Sequence, residues 1–387
     1  MMETVRYGII GCGMMGQEHI RNIQLLPGAD VGAIFEPDAG MAGEAARLCP
    51  SAQMVDSLDA LLAVQDIQCL LIVSPNFMHA NQVMHIAATR PLPLLVEKPL
   101  FTDPKDGARL MAMTADYPAP IWVAMEYRYM PPIQVLLERA KDVTGGIEML
   151  TIREHRFPFL EKVNDWNRFN RYSGGTFVEK CCHFFDLMRL AMDDEPVRIM
   201  ASAGQAANHL EERYEGKVPD ILDHGYVIVE FARGGKAMLE LCMFAEGSEY
   251  QEEISAVGKS GKIEALVPGP GRFWPQDLGA PPEPIVIESP RAPKGPKRSK
   301  IPVPEQLLEA GDHNGSTFYQ HQQFLDLVRA DRAQPEVSLK DGWMAVAMGL
   351  AAQDSAATGK AIEFEAYLQI LMREKPGTIQ SAGIAKE

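Results

Sequence analysis

Three short clusters in this 387-residue chain combine residue types that could do chemistry. The first is Gly11-Cys12-Gly13-Met14-Met15-Gly16, directly after the apolar run Val5 to Ile10. This is the spacing by which a strand turns into a helix around a pyrophosphate. Gly11 permits the tight turn, Gly13 lets phosphates approach the backbone, and Gly16 lets the helix pack on the strand. Cys12, Met14 and Met15 belong to the same cofactor-binding loop, because a helix start offers free N–H groups and a favourable dipole to an anion. A second strand, Val31 to Phe35, ends in Glu36, twenty residues after Gly16. A carboxylate there binds adenosine ribose hydroxyls and repels a 2′-phosphate, which favours NAD over NADP.

The second cluster follows two further apolar strands. Ser74-Pro75-Asn76, with His79 a turn later, succeeds Cys69 to Val73, and Glu97-Lys98-Pro99 succeeds Leu94 to Val96. Ligands of open parallel sheets bind outside the carboxyl ends of the strands, so both segments are expected at the cofactor. Lys98 then stands near the nicotinamide, where desolvation or a neighbouring cation would lower its pKa toward the working range of an acid–base lysine. The third cluster is Glu179-Lys180-Cys181-Cys182-His183, opened by Gly174-Gly175. On one continuous helix Glu179 and His183 share a face, so the carboxylate could orient the imidazole while that ring accepts a hydroxyl proton. Lys180 could reach the same cavity along its stem. The adjacent cysteines do not suggest a metal, because they cannot both face one ion from a helix and no distant pair completes a set.

The elements that must position these groups fall into two textures. Residues 1–126 alternate strand and helix and read as a doubly wound parallel sheet of the Rossmann type. In this stretch Asp38 is expected to open a helix to Leu48, Asp56 to cap a short helix through Leu62, and Asp103-Pro104 to begin another. Residues 127–365 read as an α+β domain with an open, largely antiparallel sheet. Its strands are Glu148–His155, Val197–Gly204, Gly225–Ala232, Lys236–Phe244 and Glu252–Val257. Gly174-Gly175 should open a helix running to Met192, and two helices close the domain near 315–330 and 340–358. Residues 266–305, rich in proline, glycine and lysine, read as an irregular insert, and 366–387 as a peripheral tail.

The formal charge of −15 argues against a nucleic-acid or anionic-membrane binder. No apolar run approaches a bilayer span, and six cysteines without regular spacing read as reduced thiols in a cytoplasmic protein.

The ordered set of motifs resembles the glucose-fructose oxidoreductase / inositol dehydrogenase / rhizopine-catabolism (Gfo/Idh/MocA) family over residues 4–365. Beside the clusters above, it includes Arg128 with Pro131, Trp166 ahead of Gly174-Gly175, and His183-x-x-Asp186. It continues with His313-x-Gly315-Ser316, and Ser355 with Gly359. The resemblance implies an N-terminal Rossmann domain and a C-terminal domain whose sheet supports the substrate and often an oligomer contact. It implies catalysis by Lys98, Glu179 and His183, with Arg128 added to the cofactor residues. Arg156, Trp166, Asn167, Lys180 and His183 are expected around the substrate. The implied reaction is NAD-dependent oxidation of a ring secondary alcohol of a sugar, glycoside or cyclitol, in a homodimer or homotetramer. A glycoside-cleaving enzyme that retains NAD, or a non-catalytic sensor of sugar or NAD, are the alternatives. Two departures stand out: the family usually has aspartate where Glu179 stands, and small or apolar residues where Lys180-Cys181-Cys182 stand.

Overall fold

Our computed structural model describes residues 4–330 and 334–373. Six strands form the first sheet: β1 (Val5–Ile10), β2 (Ala29–Phe35), β3 (Gln53–Val55), β4 (Cys69–Ile72), β5 (Leu94–Val96) and β6 (Ile121–Val123). Their order is β3-β2-β1-β4-β5-β6, every pair parallel. The order reverses between β1 and β4, and the crevice at that switch point is where such sheets take ligands. Strands β4 and β5 are buried at every residue, as helices on both faces require. The helix Met14–Gln24 turns Ile20 and Ile23 into this core, and Leu26 just beyond its end is buried there too. Asp38 and Asp103 cap their helices as expected. The helix at Leu58–Ala63 is capped by Ser57, not Asp56: the Ser57 hydroxyl accepts from the Ala60 N–H.

Nine strands form the second sheet: β7 (Ile147–His155), β8 (Pro196–Gly204), β9 (His224–Phe231), β10 (Lys236–Cys242), β11 (Glu252–Gly258), β12 (Gly261–Val267), β13 (Ile285–Pro290), β14 (Lys297–Lys300) and β15 (Ile362–Glu363). The order is β14-β13-β12-β11-β7-β10-β9-β8-β15, with β7 and β10 parallel and every other pair antiparallel. Burial alternates along β9, β10 and β12, so one face packs on helices and the other stands open. Helices Pro131–Thr144, Cys182–Met192 and Leu339–Thr358 cover the packed face. Met149, Tyr226 and Ile228 stand exposed in β7 and β9.

Three expectations give way. The segment 266–305 is not irregular throughout, because Ile285-Val286-Ile287 is apolar enough to add β13 to β12, and β14 pairs behind it. The helix expected from Gly174 to Met192 is two helices, Thr176–Glu179 and Cys182–Met192, broken at Lys180 and Cys181. The tail is not peripheral from 366, since helix Phe364–Arg373 buries Phe364 and Leu371 in the core. Its remainder, 374–387, lies outside the described residues.

Candidate active site

A cleft of about 1350 Å³ runs along the carboxyl edge of the parallel sheet. Gly11 takes φ +91°, and a Cβ there would lie 2.7 Å from the Ser74 nitrogen, so only glycine fits between the β1 and β4 ends. A Cβ on Gly16 would lie 2.6 Å from the Gly11 carbonyl, whereas Gly13 faces open space. Tight packing at the outer glycines and room at the middle one is what a pyrophosphate loop needs. Glu36 lines the cleft and accepts from the Cys12 and Asp38 N–H groups. Its carboxylate therefore stands fixed beside the loop, with lone pairs to spare for ribose hydroxyls.

Gly11, Gly13, Met14, Met15, Glu36, Ser74, Pro75, Asn76, His79, Glu97 and Lys98 all line this cleft. His79 sits between the Ser74 and Pro99 carbonyls, 2.8 Å from each, and ties the two strand-end loops together. Cys12 and Gly16 are not among the lining residues. Arg128 is placed elsewhere: its guanidinium forks onto both oxygens of buried Asp186 and fixes the start of the second domain.

Lys98, at the β5 end, donates to the Glu179 carbonyl at 3.2 Å. The Glu179 carboxylate accepts from Asn76 at 2.8 Å. These contacts join the two domains across the cleft. Burial disfavours the Lys98 ammonium, but Cys182, Glu179, Glu97 and Glu126 act in the other direction and raise its pKa. The expected lowering does not occur, so Lys98 is a cation and a hydrogen-bond donor. Glu179 is raised by burial, against the pull of Lys98 and Lys162.

The helix break separates Glu179 from His183. The carboxylate turns to Asn76, while His183 stacks on Tyr127 with ring centroids 4.1 Å apart and planes 8° from parallel. His183 Nδ1 is buried without a hydrogen-bond partner among the described residues. Burial, then Lys98, Lys180, His313 and Arg156, push its pKa well below the ordinary 6.5, so the imidazole is neutral.

Lys180 does not line the cleft. It is buried, 2.9 Å from Glu154, bonded to the Tyr127 hydroxyl and lying over that ring. Arg156 reaches the same Glu154 oxygen at 3.3 Å and lies over Phe157. Asn167 is also buried, donating to the Leu160 carbonyl and accepting from Arg168, so it shapes the 160–168 loop. Trp166 does line the cleft, in edge contact with Phe77 across it.

Residues that local spacing did not single out complete the site. Lys162 lines the cleft near Glu179, and Tyr127 backs His183. Glu252 stands opposite Glu154 across the β7–β11 pair, both fully buried. Behind Glu97, a buried chain runs through His19 to His321, at 3.0 and 2.8 Å. None of these has a sequence signal of its own, since each pairing spans distant segments. Among the described residues no group of three or more His, Cys, Asp or Glu is arranged to hold a metal. Cys182 points its thiol at the Glu179 carbonyl. A separate hollow of about 860 Å³, rimmed by Pro268, Pro270, Arg21 and Asp312, includes neither Lys98 nor Glu179.

Residues 5–125 match the family described as oxidoreductase family, NAD-binding Rossmann fold. Residues 140–364 match its companion, the oxidoreductase family C-terminal alpha/beta domain. The chain belongs to the Gfo/Idh/MocA oxidoreductase family. Among Gfo/Idh/MocA relatives, inositol 2-dehydrogenase of Rhizobium meliloti (strain 1021) is 27% identical over 263 residues, which are 68% of this chain and 76% of that one. Two solved structures share the fold. A myo-inositol dehydrogenase from Corynebacterium glutamicum has a TM-score of 0.72 at 21% identity, covering 93% of this chain and 98% of that one. Levoglucosan dehydrogenase, in complex with NADH and levoglucosan, has a TM-score of 0.77 at 18% identity, covering 94% and 100%. Like other members, this chain pairs a nicotinamide-cofactor domain with a second, sheet-based domain over the cleft.

Proposed function

We propose that this protein oxidises a ring secondary alcohol of a sugar or cyclitol to a ketone, with NAD as the acceptor. The observation that carries the reading is the meeting of Lys98 and Glu179 in one cleft, at the sheet edge where the glycine loop ends. A nicotinamide bound there supplies the acceptor for a hydrogen and its electron pair. Gly11, Gly13, Met14 and Met15 would hold the pyrophosphate, and Glu36 the adenosine ribose, which supports NAD over NADP.

His183 is the proton acceptor. It is neutral, so its ring can take the hydroxyl proton as the C–O bond becomes C=O. Lys98 is the donor that stabilises the oxygen as charge builds on it. Glu179 is a positioning residue: it locks Asn76 and sets the loop whose carbonyl holds the Lys98 ammonium. Lys180 supports Tyr127, on which His183 stacks. The open sheet face with Met149, Tyr226 and Ile228 supports assembly as a homo-oligomer.

The test is absorbance of reduced nicotinamide after the protein is mixed with NAD or NADP and a panel of inositols, hexoses and glycosides. NADH formed with one class and a clear preference for NAD are expected. Release of aglycone without NADH, or tight NAD binding with no turnover of any member, would sink the dehydrogenase reading.

A further inference from the structure

We propose that the substrate of this cleft bears an acid group, a carboxylate or another oxyanion, and that Lys162 receives it. The inference rests on the sugar or cyclitol reading above and narrows it. Lys162 lines the cleft together with Lys98, Asn76, Trp166 and Glu179. Its backbone N–H is bonded to Asp165, but its ammonium meets no carboxylate at salt-bridge distance among the described residues. Lys162 is half-buried, so its ammonium is free to meet a charge that a ligand brings into the crevice.

The loop that carries Lys162 is built, not slack. Asn164 and Asp165 both take left-handed conformations, at φ 58° and 45°. Asparagine and aspartate tolerate this region in tight turns. Here Asp165 accepts from the Lys162 N–H, Asn167 ties back to Leu160, and Arg168 is clamped by Glu212.

Charge in the chamber points the same way. Lys98, Arg156, Lys162 and Lys180 all act on one another or on Glu179 and His183. The carboxylates that face them are engaged or weakened. A single Glu154 oxygen serves both Lys180 and Arg156. Glu97 is held by His19. Burial and Glu154 push Glu252 up to about 7, and burial raises Glu179. For Lys162 itself, burial outweighs Glu179 and lowers the pKa. A neutral sugar leaves that ammonium desolvated and unpaired, whereas an oxyanion gives it a charge-assisted hydrogen bond.

The experiment measures calorimetric binding to the NADH-loaded protein, and NAD-dependent turnover, for matched pairs. These are glucose with glucuronate, galactose with galacturonate, and glucose with glucose 6-phosphate, on wild type, Lys162→Met and Lys162→Arg. In at least one pair the acid is expected to bind tenfold tighter or better, about one factor of ten for each 1.4 kcal/mol. Lys162→Met should abolish that preference and Lys162→Arg restore it. The phosphate pair tells which oxyanion fits. Neutral sugars oxidised as well as their acids, or a preference untouched by Lys162→Met, overturn the proposal while leaving the dehydrogenase reading intact. An acid preference without any NADH supports the proposal and overturns that reading. No binding by any member overturns both.

Discussion

His183 and His313 pack against the same ring, Tyr127, with centroids 4.1 and 6.4 Å away. Burial pushes both toward neutrality, yet they end in opposite states. His313 lies 2.8 Å from Glu18 and 3.8 Å from Glu126, and their charges lift its pKa from 6.5 to about 9. His183 faces Lys98, Lys180, His313 and Arg156, and stays well below 6.5. One ring is therefore a cation that binds two domains together, and the other a free base. His183 is the more deeply buried of the two, and the sign of the neighbouring charge acts in the same direction: carboxylates draw His313 up, whereas His183 meets only cations.

The largest effect should come from the residue that leads the charges acting on His183. Lys98→Met removes that charge and the donor to the reacting oxygen. Turnover should fall by about 10³-fold, in the range of lost acid–base assistance, with NADH affinity little changed. Stopped-flow hydride transfer and NADH fluorescence titration separate the two. Unchanged turnover would remove Lys98 from the mechanism.

His313→Leu attacks the other side of the comparison. It leaves Glu18 and Glu126 buried without their cation, held by the Asp312 N–H and by the Ser316 and Thr317 hydroxyls. Breaking a buried pair by removing one partner should lower unfolding free energy by about 3 kcal/mol in a urea titration. A loss near zero would show that the cluster only breaks even against desolvation.

The same pair sets a pH window for stability. The folded pKa of His313 is raised from 6.5 to about 9, so its contribution is complete below 6.5 and lost as pH rises through about 9. For Glu18, burial pushes upward but His313 prevails and brings it from 4.5 to about 2. Its contribution is present above 4.5 and lost as pH falls through about 2. His183 has the opposite sign to His313: lowered in the fold, it opposes folding as pH drops below 6.5. Calorimetric melting temperatures should fall between pH 6.5 and 9, and His313→Gln should flatten that alkaline limb.

How much of this was legible in the residues depends on the range of the interaction. The parallel sheet was readable because β4 and β5 are apolar throughout and the loops that follow them carry Ser74-Pro75-Asn76 and Glu97-Lys98-Pro99. The break after Glu179 was not, since Phe177 to Met188 reads as one amphipathic run. The turn falls at Lys180, whose ammonium pairs with Glu154 of β7, a partner that no local pattern reveals. Strand β13 was hidden because prolines on both sides mask a short apolar stretch. Arg128 had a motif but no visible partner, as Asp186 lies 58 residues away. Lys162 carried no signal at all, because only the fold brings it to Glu179.

The smallest effect is the most discriminating. Glu252 and Glu154 stand directly opposite in the β7–β11 register, and burial together with Glu154 lifts Glu252 to about 7. Above that pH Glu252 is ionised and acts on Lys180 and Tyr127, the groups behind His183. Below it the carboxyl is neutral, and the cations face His183 with less compensation. A rise in pH through 7 should thus add negative charge to the chamber and make His183 a stronger base. A single charge at this remove is worth about 1 kcal/mol or less, so the step in kcat/KM should be about threefold. Glu252→Gln holds the position neutral at every pH and should erase the step while leaving the fold intact. A step that survives in Glu252→Gln does not come from this carboxyl, and Glu252 then has no part in the contrast between the two histidines.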